Sequence, residues 1–148
     1  MGLSIFSITE VISFLKNNDY DKFNFKDELA IIYANDIEIL FELCNGSISE
    51  ELGEIAVSVL ENLENCISKA QIWLEHFNVK KDKAFTNAFD NGFEVSGIYF
   101  GKYGVGHQQK PLCEGFTISF NAINYYPCQF TVKFYRNMHP FAVEEWVQ

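Results

Sequence analysis

Histidine, cysteine, paired carboxylates and one glycine-rich stretch are the features of this chain with types suited to chemistry. The glycine-rich stretch is Gly101-Lys102-Tyr103-Gly104-Val105-Gly106-His107. A phosphate loop of the Walker type ends in Gly-Lys-Ser/Thr and runs straight into a helix whose N-terminus meets the phosphate. Here the lysine comes early, and Gln108-Gln109-Lys110-Pro111 follows. The stretch therefore reads as a connection between two strands. Gly104, Gly106 and His107 are its candidate ligand-binding residues, because glycines let backbone amides approach a small molecule. His107 and Cys113 share this region, the one place where a thiol and an imidazole stand close in sequence for nucleophilic chemistry.

The remaining candidates give no catalytic or metal set. His76, His107 and His139 form neither a His-x-x-x-His nor a Glu-x-x-His pair, so no two lie on one helix face as metal ligands. No two of Cys44, Cys66, Cys113 and Cys128 stand at the C-x-x-C spacing of a zinc or redox site, and they read as buried free thiols. Glu50/Glu54 and Glu61/Glu64 are paired acids at helical spacing. Such pairs are either a solvated face or a negative patch that steers a basic partner. Tyr125-Tyr126-Pro127 shapes a turn or, if exposed, an amphipathic contact patch. No cofactor is implied.

The elements that must position these residues are set by hydrophobic period. Over residues 47–77, Leu52, Ile55, Ala56, Val59, Leu63, Cys66, Ile67, Ala70, Trp73, Leu74 and Phe77 recur every three or four positions, which predicts one long helix lying on a core. Ser47 with Glu50 makes a capping-box pattern at its start. A short helix is expected over residues 9–16, with Thr9 as N-cap. Residues 29–33 and 37–43 read as a β-hairpin turning at Ala34-Asn35-Asp36. From Phe93 the period becomes two. Phe93, Val95, Gly97 and Tyr99 share one strand face, Phe116, Ile118 and Phe120 the next, and Cys128, Phe130, Val132 and Phe134 a third. A final strand is expected over residues 141–147, and residues 78–90, with Lys80, Lys81 and Lys83, are left unassigned. The expected fold is α+β: an antiparallel sheet, hairpin plus C-terminal meander, with one long amphipathic helix packed on one face, in a single domain spanning residues 1–148.

Composition narrows the function classes. With 148 residues and 48% hydrophobic content the chain is long enough to bury a core without disulfides or metal. A net charge of −9 argues against nucleic acid as a partner. The acidity is one-sided: residues 1–77 hold fourteen acids and four lysines, whereas residues 78–148 hold six acids and seven bases. No apolar run is long enough to span a membrane. The start, MGLSIFSITE, lacks the basic region of a secretory signal, so the cytoplasm is the expected compartment. A single arginine among eleven basic residues, with abundant Phe, Ile and Asn, suits an AT-rich bacterial genome.

The 47–77 helix, followed by strands ending in Tyr-Pro-Cys-Gln-Phe-Thr-Val-Lys-Phe and His-Pro-Phe-Ala-Val-Glu-Glu-Trp, resembles small acidic single-domain bacterial proteins of unknown function, some of them toxin-immunity proteins. The resemblance implies a non-enzymatic protein-binding module that blocks a basic toxin by occlusion, with no catalytic residues. Glu51, Glu54 and Glu61 are the expected steering residues, with Tyr125 or Trp146 as anchor. The alternative is a small-molecule-binding protein or small enzyme built on Gly104, Gly106 and His107. No oligomeric state follows from the sequence.

Overall fold

The computed structural model describes residues 6–78, 93–102, 114–122 and 128–147. Its elements are, in order, α1 (Ile8–Lys16), β1 (Asn24–Lys26), β2 (Leu29–Ala34), β3 (Ile37–Glu42), α2 (Glu50–Glu61), α3 (Leu63–Asn78), β4 (Phe93–Lys102), β5 (Glu114–Ala122), β6 (Cys128–Tyr135) and β7 (Pro140–Val147). The seven strands form one sheet, side by side in chain order. All neighbours are antiparallel except β3 and β4, which run parallel. A parallel pair cannot be closed by a tight turn, and α2 and α3 lie in the crossover it requires. The fold is α+β, as the sequence predicts. The hairpin gains β1 and joins the meander edge to edge, making one surface.

The single long helix is not what forms. It breaks at Asn62, the C-cap of α2, which leaves the helical conformation at φ −118° and ψ 27°. The Asn62 side-chain amide donates to the Ser58 carbonyl at 2.8 Å, and its own carbonyl accepts from the Cys66 N–H at 3.1 Å. Asn62 thus ends one helix and starts the next. Both expected N-caps also move by two residues. Ser49 caps α2, its hydroxyl accepting from the Leu52 N–H at 3.1 Å. Ser47 instead donates to the Cys44 carbonyl, closing the Asn45-Gly46 turn in which both residues have positive φ. Ser7, not Thr9, caps α1 and forms a reciprocal capping box with Glu10.

One face of the sheet builds the core. Phe41, Phe100, Phe116 and Phe134 stand opposite one another across β3, β4, β5 and β6, a cross-strand row fixed by register. Successive ring centroids are 5.1, 5.9 and 4.5 Å apart, and Phe23 closes the row edge-on at 5.7 Å. All four strand rings are fully buried. The helices complete the same cluster with Val11 and Leu15 from α1, Ile55 and Val59 from α2, and Ala70 and Leu74 from α3. The other face carries polar cross-strand pairs: Tyr33 donating to Glu38 at 2.8 Å, Ser119 with Thr131 at 3.1 Å, and Lys133 with Glu144 at 3.0 Å. No helix among the described residues is long and apolar enough to cross a membrane.

Candidate functional site

The acidic helix face and its neighbours enclose a groove of about 640 Å³ between α1 and α2. One wall is α2, which turns Leu52, Ile55, Ala56 and Val59 into the core and leaves Glu50, Glu54, Val57, Ser58 and Glu61 along the groove. Glu50 and Glu51 occupy the first turn, where the dipole of the helix favours negative charge. The other wall is the end of α1, Leu15 and Lys16, continued by Asn18 and Tyr20. Asn18 adopts a positive φ of 53°, turning the chain so that Tyr20 comes back over the groove and donates to the Asn18 side chain at 3.2 Å. Burial raises the Tyr20 hydroxyl above its ordinary 10.0, so it stays a neutral donor and acceptor.

The electrostatics are uneven along the groove. Lys16 crosses from α1 to meet Glu61 at 2.9 Å and neutralises that end. Among the described residues no cation pairs with Glu50 or Glu54 at the other. Glu51 turns away toward the β6–β7 connection, where Arg136 reaches its carboxylate at 2.9 Å. Of the three expected steering glutamates, Glu54 and Glu61 therefore line the groove and Glu51 braces α2 against the sheet. Two of the three already hold a cation of their own chain. Such exposed pairs add little stability, typically below about 1 kcal/mol, but they do cancel local charge.

The other expected residues are not gathered with these. Trp146 lies in β7 opposite Gln129, and its side chain is outside the described residues. Tyr125, Gly104, Gly106, His107 and Cys113 lie wholly outside them. Cys66 is a buried free thiol, as expected, and burial pushes its pKa above the ordinary 9.0 against an opposing pull from Lys69. Cys44 departs from that expectation: it is exposed in the turn before α2. His76 and His139 are exposed, the latter in the β6–β7 turn where its N–H donates to Asn137 at 3.1 Å. No group of three His, Cys, Asp or Glu among the described residues is arranged to hold a metal ion.

Three groove residues escape a reading of the sequence as a site: Lys16, Tyr20 and Gly53. Only Gly53 carries a signal of its own, being a glycine inside a helical period with no capping role. On α3, Ile72 and Trp73 are exposed, although the period assigns Trp73 to the core face. No protein-family model, curated protein or solved structure matches the chain.

Proposed function

We propose that the chain is a non-enzymatic protein-binding module whose acidic helical layer meets a basic protein partner. The specific form we propose is an immunity protein that blocks a toxin by occlusion in the bacterial cytoplasm. One observation carries the reading. Glu50, Glu54, Glu64 and Glu75 are exposed on α2 and α3, and no cation of the described residues pairs with any of them. A surface field of one sign accelerates encounter with a partner of the other sign, and acts within roughly 8 Å at physiological salt. With Lys16 on Glu61 and Arg136 on Glu51, the steering role passes chiefly to Glu54 and Glu50. Ile72 and Trp73 join Tyr125 and Trp146 as anchors, since a desolvated aromatic at the centre of an interface contributes more than rim charge. The toxin rests on the resemblance and on the confinement of the acid surplus to residues 1–77.

The test is affinity capture from the native lysate with the wild type and a Glu50→Lys/Glu54→Lys variant, followed by stopped-flow association with the captured protein over a salt series. The reading expects a basic protein whose association slows at least about tenfold in the variant at low salt, with a flattened salt dependence. Unchanged rate and salt slope overturn it, as does a wild type that retains no protein.

A further inference from the structure

We infer that the α1–α2 groove is the seat of a short lysine-bearing segment of the partner protein. An aliphatic side chain of that segment would lie over Gly53, and an ammonium group would meet Glu50 and Glu54. The inference rests on the protein-binding reading above and names the place and chemistry of contact. Three independent features of the groove support it.

The first is Gly53. Glycine is the least favourable residue in a helix interior after proline, because it loses the most backbone freedom on folding. Where a glycine persists, a turn, a positive φ or a close neighbour commonly requires it. None does so here: Gly53 sits inside α2, has no positive φ, and a Cβ built on it would meet nothing within 4 Å beyond its chain neighbours and the backbone of its own helix. Gly101 is the contrast, since a Cβ there would fall 2.7 Å from the Tyr99 hydroxyl and 2.8 Å from Glu42. Gly101 is needed by its own fold. Gly53 leaves an empty notch in the floor of the groove.

The second is the apolar lining beside the notch. Leu15, Ile48 and Val57 line the same groove, so an aliphatic side chain entering there leaves water for carbon on several sides. A volume of about 640 Å³ falls within the range that holds a small molecule or a few side chains, and is too small for a whole helix. The third is the charge. Glu50 and Glu54 stand one turn apart on the wall above the notch, with no described cation between them. At the far end Lys16 meets Glu61 across the groove at 2.9 Å. This chain's own lysine shows how an ammonium spans these walls, and an incoming lysine at Glu50 and Glu54 repeats that contact one end further on. An anionic segment would find two carboxylates and, among the described residues, no unpaired cation lining the groove.

The experiment titrates ¹⁵N-labelled protein with the peptide acetyl-Lys-Leu-Lys-Leu-Lys-amide and with its charge-reversed twin, acetyl-Glu-Leu-Glu-Leu-Glu-amide. The basic peptide is expected to shift amides of Leu15, Tyr20, Gly53 and Val57, and the acidic twin to shift none. Gly53→Leu fills the notch and should weaken the basic peptide at least about tenfold while its melting temperature stays at or above that of the wild type. Glu50→Gln/Glu54→Gln, which leaves the notch open, should weaken it as well. Shifts spread evenly over Glu64, Glu75 and the outer sheet face overturn the inference, and so does an unaltered affinity in both variants. A captured partner that binds Gly53→Leu as well as the wild type overturns the groove and leaves the protein-binding reading standing. Peptide seated in the groove of a protein that captures no macromolecule supports the groove and overturns that reading.

Discussion

The same substitution, glycine to alanine, is expected to act with opposite signs at two positions of this fold. At Gly53 the added methyl group enters open space, and the backbone is already helical. The gain is then the intrinsic helix preference of alanine over glycine, about 0.8–1.0 kcal/mol, part of it through a less flexible unfolded chain. For a chain of this length that raises the melting temperature by about 2–4 °C and the urea midpoint by about 0.5 M. At Gly101 the methyl group would lie 2.7 Å from the Tyr99 hydroxyl and 2.8 Å from both Cβ and Oε1 of Glu42. The hydroxyl and the carboxylate can swing aside, but Glu42 Cβ moves only with β3 itself. Overpacking of this kind costs about 1–3 kcal/mol. Thermal and urea unfolding of the two variants, followed by circular dichroism, measure the pair side by side. A Gly53→Ala variant destabilised by more than about 0.5 kcal/mol would mean that the notch is occupied in the native protein, removing the first support of the groove.

Three further outcomes follow from the packing and the titrating groups. Phe116→Ala removes the middle ring of the cross-strand row and should destabilise by about 3–5 kcal/mol in urea unfolding, a large share of a typical 5–15 kcal/mol; a double-mutant cycle with Phe134, stacked at 4.5 Å, should give about 0.5–1.5 kcal/mol of coupling. Of the two described thiols, Cys44 should react with a disulfide reagent within the native state, whereas Cys66 should react only as the protein unfolds, because burial both shields it and disfavours its thiolate. Stability should be fully retained below about pH 9 and fall as the pH rises further. Burial raises the folded-state pKa of Cys66 above 9.0 and of Tyr99 above 10.0, the latter with help from the Glu42 charge, so the unfolded chain loses its protons first. A flat urea midpoint between pH 8 and 10.5 would contradict this.

Period-two alternation was legible for β3, β5 and β6 because each of these strands puts one face into the core and the other toward polar pairs. The β2 strand was read from its β-rich run and the turn after it. In β4 the expected face of Phe93, Val95, Gly97 and Tyr99 does not hold: a bulge between Val95 and Gly97 shifts the register, so Ile98 and Phe100 are the residues buried beyond it. The β1 strand was not legible, since its three residues, Asn24–Lys26, are all exposed and an edge strand that short has no period to read. The break at Asn62 was hidden for a different reason. The apolar spacing runs straight across it from Val59 to Leu63 and Cys66, and neither glycine nor proline marks it. The parallel pairing of β3 with β4 is a contact between segments remote in sequence, which no local pattern encodes. At the site, the acids were visible but their partners were not. Lys16 and Arg136 come from an element before the sheet and from a turn between its last two strands, so only the fold says which glutamates are already satisfied.

The parallel joint between β3 and β4 also divides the labour of the chain. Each side of it is stitched by neighbours in sequence, while the joint brings together segments remote in sequence and so carries the larger loop-closure cost. No turn sets its register. The packing of Phe41 on Phe100 must do so, since a slip of one residue would turn every side chain to the wrong face. Both walls of the groove, from Leu15 to Glu61, come from before the joint, and the four strands of the meander come after it. Substitutions at the buried rings on either side of the joint should therefore be felt as changes in how long the protein survives, and those at the exposed acids of the groove as changes in what it recognises.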